Sequence, residues 1–210
     1  MVWRLVLEGG SVRRVEEPAL RVPPGHIAVR VKAFLIDDFS LWALRRGAGP
    51  FSRWAFGVVV AGGEVGRYVV AHAENAAAQY VASDRYVYVE GGSPSVLEAA
   101  AVAYVVDALG RVPRARRVEV FGNDPRSAAV SHLAEAGPSR WKVALQDAVV
   151  KGGVAVAVSR LVEVAGNAVV RFIDVPTRWA LRRAAEYKIR LGLPVRRELS
   201  FEGWGVVVVD

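Results

Sequence analysis

The stretch VEVFGNDPRSAAVSHLAEAG, residues 118–137, decides how the second half of the chain is read. An apolar run from Val118 to Phe121 reaches Gly122, a helical pattern follows through Ala128, Ala129, Leu133 and Ala134, and Gly137 closes it. Strand, glycine turn and helix in that order begin a βα unit of a parallel sheet. A phosphate-gripping loop at that point would read Gly-x-Gly-x-x-Gly. This chain reads Gly122-Asn123-Asp124-Pro125-Arg126-Ser127 and keeps only the first glycine. Asp before Pro suits an N-cap with proline at the first helical position, so Asp124 is expected to cap a helix over 125–136.

Working outward, the pattern predicts a helix over 138–151, strands over 153–158 and 168–173, and a helix over 177–191 entered through Pro176-Thr177 and left at Gly192. Strands over 195–199 and 205–209 follow. Alternation of this kind implies a parallel sheet with helices packed on it. Upstream, SPSVLEAAAVAYVVDALGR (93–111) reads as a helix with Ser93 or Ser95 at its N-cap, Glu98 completing a capping box and Gly110 at its stop.

Before residue 94 the period is that of strands. VWRLVLEGG ends in a Gly-Gly turn, and SVRRVEEPAL begins a partner that stops at proline. In HIAVRVKAFLI, Ile27, Val29 and Val31 face one way and Arg30 and Lys32 the other. FSLWALRRG is a short helix stopped by Gly47. Further strands between glycine-rich turns predict a small β-barrel. The expected organisation is a β-rich domain over 1–93, a connecting helix and linker over 94–116, and an α/β domain with a parallel sheet over 117–210. No internal repeat stands out.

Composition narrows the function classes. The 210 residues are 53% hydrophobic and 23% charged, enough apolar content for a packed core. No apolar stretch is long enough for a membrane span, and the first residues lack a cleavable signal pattern, so a cytoplasmic protein is expected. Cysteine is absent, which removes disulfides, thiol nucleophiles and Cys-liganded metals. His26, His72 and His132 are far apart and lack metal-ligand spacing. The net charge of +7 rests on 24 Arg and 4 Lys, and a single Met accompanies them, a composition that fits a heat-adapted source.

Several phrases together resemble the medium-chain dehydrogenase/reductase family, which includes zinc alcohol dehydrogenases and zinc-free quinone oxidoreductases. They are PPGHIAVRVKAFLIDDFSLWALRRG, GVVVAGGEVGRYVVAHA, AQYVASDRYVYV, SVLEAAAVAYVVDALG and KGGVAVAVS, in family order along most of the chain. The resemblance implies a GroES-like barrel followed by a Rossmann-like domain, here truncated, with NAD(P) as the cofactor and a dimer as the assembly. It also places the departures. Asp37 stands where zinc-dependent relatives have a cysteine ligand, and Ser52-Arg53-Trp54 stands where they have Gly-His-Glu. A guanidinium and an indole do not ligate zinc, so no metal is expected.

At the cofactor loop Asp124 occupies the second glycine position, where the backbone must approach a pyrophosphate, and its carboxylate would repel a diphosphate. After the first helix no strand ending in an acid is apparent, so the strand that carries a ribose-binding acid is expected to be missing. The degenerate site is Gly122, Asn123, Arg126 and Ser127, with no catalytic residue assigned. The first expectation is a non-catalytic scaffold or binding protein, homo-oligomeric through an edge strand such as AVVRF. A zinc-independent NAD(P)H oxidoreductase is the second, with Arg126 and Ser127 on phosphate and Tyr80, Tyr104 or Asp37 as proton donor. The third is a nucleic-acid or polyanion-binding module using Arg111, Arg114, Arg116 and Arg117, with Arg178, Arg182 and Arg190 on a later helix.

Overall fold

A computed structural model describes residues 1–112 and 117–209. The chain forms two compact units, one made of residues 1–97 and 193–210, the other of residues 98–192. The fold is mixed α/β, with a mainly antiparallel sheet in the first unit and a parallel sheet in the second.

In the first unit, β1 (Val2–Glu8) and β2 (Ser11–Glu17) form the hairpin expected from Gly9-Gly10, both of which have positive φ. β3 (Ile27–Ile36) is the centre of a seven-stranded sheet. Ile27, Val29 and Val31 are buried and Arg30 and Lys32 exposed, as the alternation requires. β3 pairs antiparallel with β4 (Trp54–Ala61) and with β6 (Tyr80–Ser83). β5 (Tyr68–His72) extends the sheet from β4 to β7 (Tyr86–Tyr88). Between β3 and β4, α1 (Asp38–Arg46) starts at a reciprocal cap: Ser40 N donates to Asp37 Oδ1, and Asp37 N donates to Ser40 Oγ. Gly47 ends it in the left-handed conformation at φ 73°.

The chain's last strands return to this sheet. β13 (Val195–Arg196) pairs with β14 (Gly205–Val208), and β14 pairs antiparallel with residues 33–36 of β3. Sequence order alone had grouped them with the parallel sheet. Their apolar run fits either place, because Val206 and Val207, successive residues of β14 that face opposite ways, are both buried between β13 and β3.

The second unit opens with α2 (Glu98–Gly110), entered through a short 3-10 turn over Pro94–Leu97 and ending at the expected glycine. It packs against α3 (Ser127–Leu133) and α4 (Arg178–Tyr187). Thr177 caps α4 as expected, its side chain accepting from Ala180 N. The helix ends four residues early, at a left-handed Lys188 rather than at Gly192. The Glu98 carboxylate accepts from Leu191 N and so holds the chain beyond α4.

The parallel sheet has the order β12 (Val162–Phe172), β11 (Ala148–Ala157), β10 (Trp141–Ala144), β8 (Arg117–Phe121), β9 (Glu135–Ala136). The helix expected over 138–151 is absent. Trp141, Val143, Val149 and Val150 favour extended backbone, and sheet pairing on both sides prevails over a helical spacing that the alanines also satisfy. The second parallel strand of the βα pattern, expected to be missing, is β10.

No helix separates β10, β11 and β12. Residues 141–144 and 154–157 run parallel side by side, so 148–151 must be a return segment. The left-handed Gly152 and Gly153 make the next corner, and 162–165 returns again before 168–172. The chain therefore winds in stacked coils, offset by 13 residues at Val143 beside Val156, 14 at Ala148 beside Val162 and 15 at Val154 beside Val169. Backbone bonds continue round the corners, from Leu145 N to Phe121 O and from Asp147 N to Leu161 O. Inside the coils Ala144, Ala148, Val150, Ala155 and Ala157 pack together, while Val118, Val143 and Val156 are buried on the opposite face. This repeat was invisible as sequence because only residue size recurs between coils.

Candidate degenerate nucleotide loop

β8 carries the chain to Gly122 at its carboxyl end, where φ is 79°. The tight turn is thus kept, but what lies against it is the chain itself. A Cβ on Gly122 would stand 2.5 Å from Gln146 O and 3.2 Å from Leu145 O, so the β10–β11 corner rests on the glycine. In a dinucleotide site that close approach belongs to a diphosphate.

Asp124 does not cap α3. The cap position is Arg126, in helical conformation and without a side-chain cap bond, and α3 begins at Ser127. The Asp124 carboxylate instead accepts from Arg126 N at 2.7 Å, Arg126 Nη2 at 2.7 Å, Arg126 Nε at 3.1 Å and Gln146 N at 3.0 Å. The Asp124 side chain closes a turn on the amide two residues on, and the helix begins only after that turn, at Ser127. Arg126 Nη1 donates to Val158 O at 2.6 Å, and the guanidinium lies over the Tyr104 ring at 5.7 Å. Arg126 is 0% exposed. A guanidinium is buried only when its charge and donors are met, and here a carboxylate, a carbonyl and a ring face surround it.

Of the four candidate cofactor residues, Gly122 and Asn123 are exposed, Ser127 is half-buried and Arg126 is buried. The turn gathers them at the end of β8, but Arg126 points into the protein and is committed to Asp124. Tyr104 from α2, named from sequence as a proton donor, meets Arg126 instead, and two participants were missed from sequence: Gln146 from the corner and Val158 after β11. Both are remote along the chain, and only the true path of residues 138–158 brings them in. Asp147 was also missed. It is an exposed acid at the carboxyl end of β10, left-handed at φ 53° and 3.4 Å from Gln146 Nε2.

The other proton-donor and ligand candidates have structural employment. Asp37 is the α1 cap. Tyr104 donates its hydroxyl to Asp174 O at 3.3 Å, and Tyr80 is half-buried in β6. Ser52 donates to Leu35 O at 2.9 Å, Arg53 lies over Phe39, and buried Trp54 meets His72 edge-on. His26 contacts Pro24 O in its turn and His132 lies in the last turn of α3. Among the described residues no three His, Asp or Glu side chains converge as a metal site would require.

The basic segment divides. Arg111 is held by the Asp107 carboxylate at 3.1 Å, Arg117 is exposed at the start of β8, and Arg114 and Arg116 lie outside the described residues. On α4, Arg182 pairs with Glu186. No described helix is long and apolar enough to cross a membrane.

No protein-family model matches the chain, and no curated protein sequence does. Solved structures do match. An alcohol dehydrogenase from Thermus sp. ATN1 aligns with a TM-score of 0.70 at 14% identity, over 99% of this chain and 100% of that one. A putative zinc-dependent alcohol dehydrogenase from Rhizobium etli aligns at 0.68 and 11%, over 100% and 98%. The acetophenone reductase of Geotrichum candidum, solved in complex with NAD, aligns at 0.71 and 9%, over 99% and 97%. The chain therefore carries, in divergent form, the fold of the medium-chain alcohol dehydrogenases and reductases.

Proposed function

We propose that this protein is a dehydrogenase-fold scaffold that has given up standard NAD(P) binding and zinc, and that it works as a non-catalytic, homo-oligomeric cytoplasmic protein. One observation carries the reading: the buried Arg126–Asp124 pair, closed by Gln146 and Val158, takes up the donors and the space a diphosphate would need. The residues present do not fit a dinucleotide bound in the family manner. The guanidinium that sequence offered as a phosphate ligand already has its anion, and the corner at Gln146 sits on Gly122. The zinc positions hold a helix cap, a buried serine, an arginine and a tryptophan, none arranged as ligands.

Asp147 favours the second reading, a zinc-independent NAD(P)H oxidoreductase, because an exposed acid at the end of the second parallel strand is where a ribose would be held. It lacks a companion phosphate site. The polyanion reading has less support, since Arg111 and Arg182 are engaged by carboxylates. Titration of the protein with NADH and NADPH, followed by tryptophan fluorescence and thermal shift, separates the first two. The expected result is no saturable change at micromolar cofactor; a saturable shift there makes the protein an oxidoreductase candidate and removes the scaffold reading.

A further inference from the structure

Along one edge of β3 the pairing partner changes, and we infer that the opening left there binds a small organic anion, a carboxylate or phosphate carried on a flat apolar body. β4 occupies the other edge, beside residues 28–34. On the edge in question β6 pairs with residues 27–30 and β14 with residues 33–36. Beyond β6 the ladder continues as Val31 N donating to Gln79 O, and beyond β14 as Val209 N donating to Lys32 O, so the two partners part at Val31 and Lys32. Trp3 bounds the opening from β1, its carbonyl accepting from Gln79 N. The groove has a volume of about 430 Å³, and Arg30, Lys32, Gln79, Trp3, Pro94 and Val208 are among its lining residues. Sites for small molecules are roughly 300–1,000 Å³, apolar in the main with a few converging polar groups.

Charge decides what fills it. Arg30 and Lys32 are exposed, and among the described residues neither side chain has an ion pair or hydrogen bond. Elsewhere in the same unit Arg4, Arg13, Arg14 and Arg67 each have a glutamate partner. No acid is among the residues lining the groove. Two residues along a strand span roughly 7 Å, so the two cations repel each other unless an anion lies between them. The Arg30 guanidinium suits a carboxylate or phosphate as a planar fork, and Lys32 adds a point charge. The half-buried Gln79 amide offers a neutral hydrogen bond beside them, its side chain also without a partner among the described residues. Trp3, Pro94 and Val208 are half-buried and supply an apolar wall for the body of the molecule. This groove lies wholly within the first unit and does not depend on the cofactor reading, which concerns the second.

Equilibrium dialysis of the full chain against 2-naphthoate, 2-naphthyl phosphate and uncharged 2-naphthylmethanol tests it. The expected result is saturable binding of at least one anion below about 1 mM, with the alcohol roughly tenfold weaker or more. The tighter of the two anions identifies the head group. Arg30→Gln and Lys32→Gln should each weaken the anion roughly tenfold and leave the alcohol unmoved, while circular dichroism melts match the parent because both side chains are exposed. Asp210, next along the chain from Val209, lies outside the described residues, and Asp210→Asn is expected to bind as the parent does or more tightly. Absence of saturable binding overturns the inference, as does affinity indifferent to both cation substitutions or lost with Asp210→Asn. Inorganic phosphate that competes as well as naphthyl phosphate overturns it too, since charge alone then suffices. So does a single-stranded oligonucleotide that displaces the naphthoate more strongly with length, which makes the face a polyanion surface.

Discussion

At residue scale the loop after β8 is set by partners that lie far along the chain. Gly122 has positive φ, and its lack of a side chain admits the close approach of Gln146 O. The bonds Asp124 makes were not legible in the sequence, because an aspartate before proline looks like a cap from any local window. The deciding partners, Gln146 and Val158, are 22 and 32 residues from their bonds to Asp124 and Arg126. Removing one member of a fully buried pair leaves the other charge unmet, which costs about 3–5 kcal/mol, whereas replacing both by apolar or neutral groups costs far less. Arg126→Ala is therefore expected to lower unfolding stability by about 3–5 kcal/mol. The double variant Asp124→Asn/Arg126→Met should lose less than the summed losses of Asp124→Asn and Arg126→Met made singly, a non-additivity measurable by urea denaturation of that four-protein cycle.

At element scale the sequence was most readable where turn chemistry and period agreed. The β1–β2 hairpin, β3, α1 with its Gly47 stop, and the Thr177 entry to α4 follow from local pattern. Residues 138–151 were misread because alanine and valine at mixed spacing suit a helix face and a strand equally, and nothing local arbitrates. What arbitrates is the coil: Ala144, Ala155 and Ala157 must face Ala148 and Val150 across a thin interior, which a helix cannot arrange. The alanines are there for size. Enlarging one should strain both layers, so Ala155→Leu is expected to destabilise by about 1–3 kcal/mol. Ala128→Leu on the exposed side of α3 is expected to stay within about 0.5 kcal/mol, and equilibrium denaturation of the two variants compares them directly.

At the scale of the whole molecule the order of elements was legible and the path of the chain was not. Alternation assigned the last strands to the parallel sheet, but β14 pairs with residues 33–36 of β3, so the first unit is assembled from both ends of the chain and the second from one continuous stretch. That difference has a thermodynamic consequence. The core of the first unit includes Val207 together with Phe34 and Ile36, and removing β14 strips β3 of a partner along residues 33–36. The second unit has its own interior, with Val118, Val143, Val156, Leu145 and Leu181 all buried and its helices packed on one another. Residues 98–192 expressed alone are therefore expected to fold, giving a dispersed amide spectrum and a cooperative melt. Residues 1–97 alone, lacking β13 and β14, are expected to give collapsed spectra with a broad or absent transition. Adding 193–210 back through a short flexible linker should restore the transition, because β14 needs only to reach β3 and not to follow the intervening unit. If residues 1–97 fold cooperatively without that segment, the return strand is an accessory rather than a member of the core.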